Sequence, residues 1–488
     1  MRRLALGFLM LALTACSSAP VAKQEPPAST GLISETTKSP EALEHFHKGQ
    51  ALFYNLRTAD AAREFEQALR LDPDFVLARV YHAQSTPGDQ GIRELEDAAK
   101  AAGGLPDAER QFVQGIAAGT RGDVTDAEKM LRQVTEVAPK DWRSHFALGF
   151  QYVVAQKYGD AIPALQQATR INADAPFAQN MLGYALLRQG DNAGAINAFQ
   201  EYVRMLPQEP NPQDSLGEAL MAAGRLDEAN TAFNKAVELA PDFWNAYEGL
   251  AFARIYSGDW VGGRKAFELA KMNAPTAVNK LTVSNEIAAA VAAQGRTSEA
   301  LQILDATRQT PGVEAGVLAL VPVRRAHVLI VGGQQKQAIA AVAPALATAD
   351  DPTTPPALAR PLRTDALRAR ITAEGQLNDT TAVAATAALL QKDATDRPDD
   401  PAARTAGMYA DGIVAMIKRD FASAQKSFEA CAAEDDWCQW QAIAAAGRAD
   451  DKTAAAKGRE RMLRLYRRDP VYLMVRSQVE RPARPSTD

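Results

Sequence analysis

PNPQDSLGEALMAAGRLDEANTAFNKAVELAPDF, residues 210–243, is one copy of a pattern that returns every 34 positions. Pro207, Pro241 and Pro275 keep that step, as do Phe199, Phe233 and Phe267. Ala195, Ala229 and Gly263 form a third series. Gly149, Gly183 and Gly217 form a fourth, continued by Ala251. A fixed period of this length is the mark of stacked helix pairs, each too small to bury its apolar face alone.

The unit at 142–175 shows why. Phe146, Leu148, Phe150, Tyr152 and Val153 place apolar groups around Gly149 in its first half, and Ala161, Leu165 and Ala168 do so in its second. Both halves read as short amphipathic helices joined by a tight turn. Small residues let the two helices approach, large ones fill the space between units, and a proline near the end stops the second helix. The spacing predicts an all-α fold.

Leu216, Gly217, Leu220, Ala229, Phe233, Ala236 and Pro241 fall on the slots of the tetratricopeptide pattern. Leu182, Gly183, Leu186, Ala195, Phe199, Tyr202 and Pro207 do the same one unit earlier, and Gly49, Leu52, Ala61, Phe65, Ala68 and Pro73 in the first unit. The chain therefore resembles the tetratricopeptide repeat family. The resemblance implies a right-handed superhelical solenoid of antiparallel helix pairs, regular in its N-terminal half and degenerate in its C-terminal half. The string Pro210-Asn211-Pro212-Gln213-Asp214-Ser215 also resembles a subtype found in bacterial envelope lipoproteins.

The N-terminus carries Arg2 and Arg3, then an apolar run at 4–14 of only 11 residues. A bilayer span needs about 20. The run ends Leu13-Thr14-Ala15-Cys16, which matches a bacterial lipobox. That resemblance implies cleavage before Cys16, acylation of its thiol and amino group, and a lipid anchor. Ser17 in place of Asp after the cysteine points to the outer membrane, facing the periplasm. The expected organisation is a signal peptide at 1–15, a lipidated flexible tether at 16–38, repeats at 39–280, degenerate repeat-like helices at 281–348, a Pro-rich hinge at 349–361, a C-terminal helical region at 362–475 and a tail at 476–488.

A net charge of −5 gives no nucleic-acid footprint. With Cys16 assigned to lipid, Cys431 and Cys438 remain, too widely spaced for a CxxC redox or zinc motif. They read as a disulfide of an oxidising compartment or as two small buried side chains. The five histidines form no ligand set, and no phosphate loop, nucleophile elbow or metalloprotease motif occurs. No catalytic residue, metal or cofactor is expected, and the chain reads as a binding protein rather than an enzyme.

In tetratricopeptide arrays the first helix of each pair lines the concave face. Carrying over those slots nominates Phe150, Asn180, Tyr184, Asn211, Asp214, Glu218, Asn245, Glu248 and Phe252 as a peptide groove. It is aromatic, amide-rich and acidic, and lacks the cations with which chaperone-binding relatives hold a terminal carboxylate. It suits a neutral or basic peptide of an envelope protein; the competing reading is packing between units or against a terminal helix. The basic stretch 457–484 reads as a solvated helix closing the solenoid end, or as a contact to membrane or partner. A membrane-anchored scaffold or adaptor is the leading expectation, and a sensory subunit modulating an envelope signalling protein the alternative.

Overall fold

In the computed structural model, residues 31–480 are described apart from 56, 87, 308–309, 314 and 432–434. Cys16, the apolar run before it and the tail from 481 lie outside the described residues. Among the described residues every regular element is helical, in keeping with an all-α repeat fold. None of those helices is long and apolar enough to cross a membrane. The chain divides into two compact units, 1–151 with 170–172, and 152–169 with 173–488.

The first unit holds α1 (Pro40–Tyr54), α2 (Thr58–Leu71), α3 (Val76–Ser85), α4 (Asp89–Ala101), α5 (Asp107–Arg121), α6 (Val124–Val137) and most of α7 (Trp142–Val154). Its aromatic core centres on Phe46, with ring centroids 4.8 Å from Phe75 and 5.5 Å from Tyr81. The tether expected at 16–38 does not extend through its last eight residues. Residues 31–38 are an extended segment bound to this unit. Ile33 is buried and donates its N–H to Asp141 (3.1 Å). Thr36 donates its hydroxyl to the buried Glu109 (2.5 Å), and Thr37 to Asp72 (2.5 Å). Arg143 joins Asp141 (2.7 Å) to Glu35 (2.6 Å). Composition read these residues as too polar to pack. They dock through hydrogen bonds and one apolar side chain, a mode that hydrophobic content does not report.

The second unit holds most of α8 (Tyr158–Ile171), then α9 (Pro176–Gln189), α10 (Asn192–Met205), α11 (Pro210–Ala222), α12 (Leu226–Leu239), α13 (Trp244–Tyr256), α14 (Trp260–Asn273), α15 (Ala277–Ala293) and α16 (Thr297–Thr307). It continues with α17 (Ala315–Leu318), α18 (Val321–Val331), α19 (Gln335–Ala341), α20 (Ala343–Asp350), α21 (Pro356–Gln376) and α22 (Thr380–Asp396). It ends with α23 (Pro401–Ile417), α24 (Phe421–Ala430), α25 (Asp436–Arg448), α26 (Lys452–Leu463) and α27 (Pro470–Glu480). The hinge expected at 349–361 is a short turn between packed helices. Thr354 donates its hydroxyl to Thr348 O (2.7 Å), and Pro356 opens α21. Proline at the first helical position favours a helix start, because its missing N–H has no intrahelical partner there anyway.

One contact spaces the pairs. Gly49 and Phe65, Gly183 and Phe199, Gly217 and Phe233, and Gly412 and Phe428 each stand sixteen residues apart. A Cβ on these glycines would lie 2.5, 2.5, 2.7 and 2.5 Å from the facing ring. Phe65, Phe199 and Phe233 have no exposed surface. The turn within each pair has its own period: Gly122, Gln156, Gly190, Gly224 and Gly258 all have left-handed φ, between 57° and 90°. Each is 34 residues from the next. Beyond them the left-handed positions fall at Gly295, Gly333, Asn378, Arg419 and Asp450, so the step is no longer constant. A disulfide joins Cys431 at the end of α24 to Cys438 in α25, with Cα atoms 5.9 Å apart.

Gly217→Val drives two methyl groups into the Phe233 ring. It is expected to lower stability by about 1–3 kcal/mol, the usual cost of overpacking. Gly103→Ala, at a site with nothing within 4 Å, is expected to stay within about 0.5 kcal/mol. Urea unfolding of both variants checks this, and equal midpoints contradict it.

Candidate functional site

Three first helices of the second unit present a periodic set of side chains. Asn180, Asp214 and Glu248 share one slot, 34 residues apart, and Tyr184, Glu218 and Phe252 share the slot four residues later. Residues four apart on a helix lie on one face. Asp214 and Glu218 on α11 therefore face the same space as Glu248 on α13.

That space is filled by the chain itself. Residues 464–469, between α26 and α27, cross it, and the Arg468 guanidinium enters the acidic cluster. Its Nη1 lies 3.4 Å from Asp214 Oδ1 and 3.8 Å from Glu218 Oε2. Its Nη2 lies 3.6 Å from Glu248 Oε2 and donates to the Asn245 backbone carbonyl (2.9 Å). The Arg468 side chain keeps 13% of its exposure. Tyr256 donates its hydroxyl to Arg467 O (2.7 Å). Arg476 lies over the rings of Tyr466 and Tyr256, 4.8 and 5.3 Å from their centroids, and donates to Leu465 O (2.6 Å). Asp469 caps α27 by accepting from the N–H groups of Val471 (2.6 Å) and Tyr472 (2.9 Å).

The electrostatics follow from burial. Desolvation pushes the Asp214 carboxyl up to about 6; Arg468 opposes this, and Glu218 and Glu248 add to it. Burial raises Glu286, on α15, well above the usual carboxylate range, with Glu248 adding to the rise. Burial alone would lower the Arg468 guanidinium, but Asp214, Glu248 and Glu218 more than offset it and hold the charge. Burial raises the Tyr184 hydroxyl as well, helped by Glu218 and Asp214. A cavity of about 590 Å³ adjoins the crossing segment, with Glu218, Met221, Tyr466 and Arg467 in its wall.

The nominated groove residues divide into those that meet Arg468 and those that do not. Asp214, Glu218 and Glu248 converge on it, as does the backbone of Asn245. Tyr184 stands behind them, its hydroxyl 3.1 Å from Ser215 Oγ and its ring 5.1 Å from Phe199. Asn180 is buried and accepts from Ser215 (3.4 Å). Asn211 donates to Tyr202 (3.1 Å), and Phe252 is wholly buried against Phe267. These three join helix to helix. Phe150 belongs to the first unit and is 39% exposed.

The C-terminal stretch departs from the expected solvated cap. Tyr472, Leu473, Met474 and Val475 of α27 are buried, and α27 packs on α15, α18, α25 and α26. Because α27 runs to Glu480, the expected tail at 476–488 starts inside a helix. Glu286 and Tyr256 were missed by slot counting: α15 is 17 residues long, which breaks the 34 step. The acidic slots and the basic stretch were both visible, and their complementary charge was the signal that joins them. Elsewhere, His45 and His47 turn to different partners, Glu64 (2.7 Å) and Glu35 (2.6 Å). Among the described residues no group of three metal-ligating side chains is placed to hold an ion.

With this geometry the comparisons can be read. Residues 112–149 and 152–210 match one tetratricopeptide repeat family model, and 213–243 match another. These residues carry tetratricopeptide repeats. No curated protein sequence matches the chain. Similar solved structures include a crystal structure of MamA, 24% identical, covering 33% of this chain and 93% of that one with a TM-score of 0.31. MamA 41-end from Desulfovibrio magneticus RS-1 is 18% identical, with coverages of 34% and 94% and a TM-score of 0.33. YrrB, titled a TPR protein with an unusual peptide-binding site, is 16% identical, with coverages of 45% and 97% and a TM-score of 0.30. At these scores the likeness is partial, and no conclusion about this chain rests on it.

Asp214 supplies a pH test. Its folded value of about 6 lies above the ordinary 3.8. The folded state therefore holds a proton between those values that the unfolded state has released. The resulting stability is present at the acid end and is lost as pH rises through about 6. Carboxyl ¹³C shifts are expected to give Asp214 a midpoint near pH 6, and Asp214→Asn to remove that part of the pH dependence. A midpoint at or below 4 contradicts the desolvated site.

Proposed function

We propose that this protein is a non-catalytic adaptor of the bacterial envelope. It binds a basic peptide segment of a partner protein in the groove of its second unit and is held at the membrane by lipid on Cys16. One observation carries the binding part: a basic segment already lies across this groove, with an arginine among Asp214, Glu218 and Glu248. Carboxylates take a guanidinium in preference to a neutral side chain, because charge-assisted hydrogen bonds are about twice as strong as neutral ones.

The envelope assignment is supported by Leu13-Thr14-Ala15-Cys16 and by the Cys431–Cys438 disulfide, which suits an oxidising compartment. Acyl chains at Cys16 would each add about 0.8 kcal/mol of membrane affinity per buried methylene. With residues 31–38 bound to the first unit, the stretch between anchor and repeats shortens to residues 17–30, whose greatest span is about 50 Å. The adaptor thus works close to its membrane.

The test uses intact cells. Wild type is expected to fractionate with membrane, and Cys16→Ser to appear in the soluble envelope fraction. Glu218→Arg with Glu248→Arg is expected to keep membrane association and lose a subset of amine-reactive crosslinks to envelope proteins. Identical fractionation of wild type and Cys16→Ser would sink the anchor, and an identical crosslink pattern in the charge-reversed protein would sink the groove.

A further inference from the structure

We infer that residues 464–469 are a built-in substitute ligand, and that the partner of this groove is an extended segment presenting an arginine, which must displace them. This rests on the adaptor reading and adds the chemistry and the regulation of its site.

The crossing segment is held as a bound peptide is held. One side chain, Arg468, enters a pocket, and two backbone carbonyls, Leu465 O and Arg467 O, accept from Arg476 and Tyr256. Recognition by one anchoring side chain plus main-chain hydrogen bonds transfers to any extended segment with that side chain in register.

The fit of Arg468 leaves room for a better one. Its three carboxylate contacts run from 3.4 to 3.8 Å, whereas charge-assisted N–H···O bonds close at about 2.7–2.9 Å. Four carboxyl groups, those of Asp214, Glu218, Glu248 and Glu286, bear on a single guanidinium. Arg468 is fixed from both sides by helices and cannot re-aim; an arginine on a free peptide can. The adjoining cavity of about 590 Å³ opens on Glu218 and gives such a peptide an approach beside the docked segment.

The two flanks of the segment differ in a way that suits a latch. In α26 the one buried residue is Met462. In α27, Tyr472, Leu473, Met474, Val475 and Val479 are all buried. Release of 464–469 therefore moves the α26 side and leaves α27 in place. While attached, the segment competes at the high effective concentration of a short tether, so an outside peptide binds weakly until the latch is weakened.

The test uses the full chain and a fluorescein-labelled peptide of the protein's own sequence, Arg-Leu-Tyr-Arg-Arg-Asp-Pro-Val-Tyr, corresponding to residues 464–472. By fluorescence anisotropy, Arg468→Ala is expected to bind this peptide at least tenfold more tightly than wild type. Adding Asp214→Asn and Glu248→Gln is expected to reverse that gain. A peptide with alanine at the position of Arg468 is expected to lose at least tenfold. In wild type at saturating peptide, hydrogen exchange is expected to rise in 464–469 and to stay unchanged in 472–479. Should Arg468→Ala not fold, Arg468→Lys serves, with an expected gain of at least threefold. No gain in the folded variant, or equal binding of the alanine peptide, overturns the inference. If that happens while charge reversal at Glu218 and Glu248 still removes crosslinks in cells, the latch fails and the adaptor reading stands.

Discussion

A phenylalanine ring packed where a side chain is missing sets the geometry on which the rest depends. In four pairs the ring of the second helix lies against a glycine of the first, closer than any Cβ would allow. Interiors pack at crystal-like density, so a contact this close leaves the two helices little freedom to slide. Repeated every 34 residues, it holds successive first helices in register. Register is what brings Asp214 and Glu218 on α11 into one space with Glu248 on α13. A helix slid by one turn would separate them by about 5 Å, and no shared cation would remain.

Once aligned, the carboxylates need that cation. Asp214 and Glu218 stand four apart on one helix, an arrangement that is unfavourable between like charges, and burial adds to the cost of ionising Asp214. Arg468 relieves both, and a buried charge deprived of its partner costs several kcal/mol. The first unit meets a similar demand differently. Its buried Glu109 and Asp141 are satisfied by the extended residues 31–38 and by Arg143. Each unit, taken by itself, is thus completed by an extended piece of chain lying on helical repeats. This favours reading the surface as peptide-binding and the C-terminal crossing segment as its first occupant.

The regular part of this fold was legible in the sequence because each slot carries a steric demand that few residues meet. Glycine sits where a ring presses, proline where a helix stops. The glycines at 190, 224 and 258 were an equally good marker of the turns, overlooked because attention fell on the helices. The later pairs were harder to read, since α15 and α21 are longer than one slot set and the turns use Asn378, Arg419 and Asp450 in place of glycine. Of the nominated groove, the three acidic positions were read to good effect, while Asn180, Asn211 and Phe252 had the right slots and other duties. The docked termini escaped because their partners are distant: Arg468 meets Asp214 across 254 positions and Ile33 meets Asp141 across 108. Periodicity reports neighbours, and these contacts are not between neighbours.

The central claim is that Arg468 and the acidic cluster hold the crossing segment in the groove. A double-mutant cycle tests it most directly. Arg468→Met and Glu248→Gln are made singly and together, and the opening free energy of 464–469 is read by hydrogen exchange. The account predicts a coupling of about 1–3 kcal/mol, the range of residues that share one charged network. Additive effects, or full exchange of 464–469 in the wild type, would contradict it.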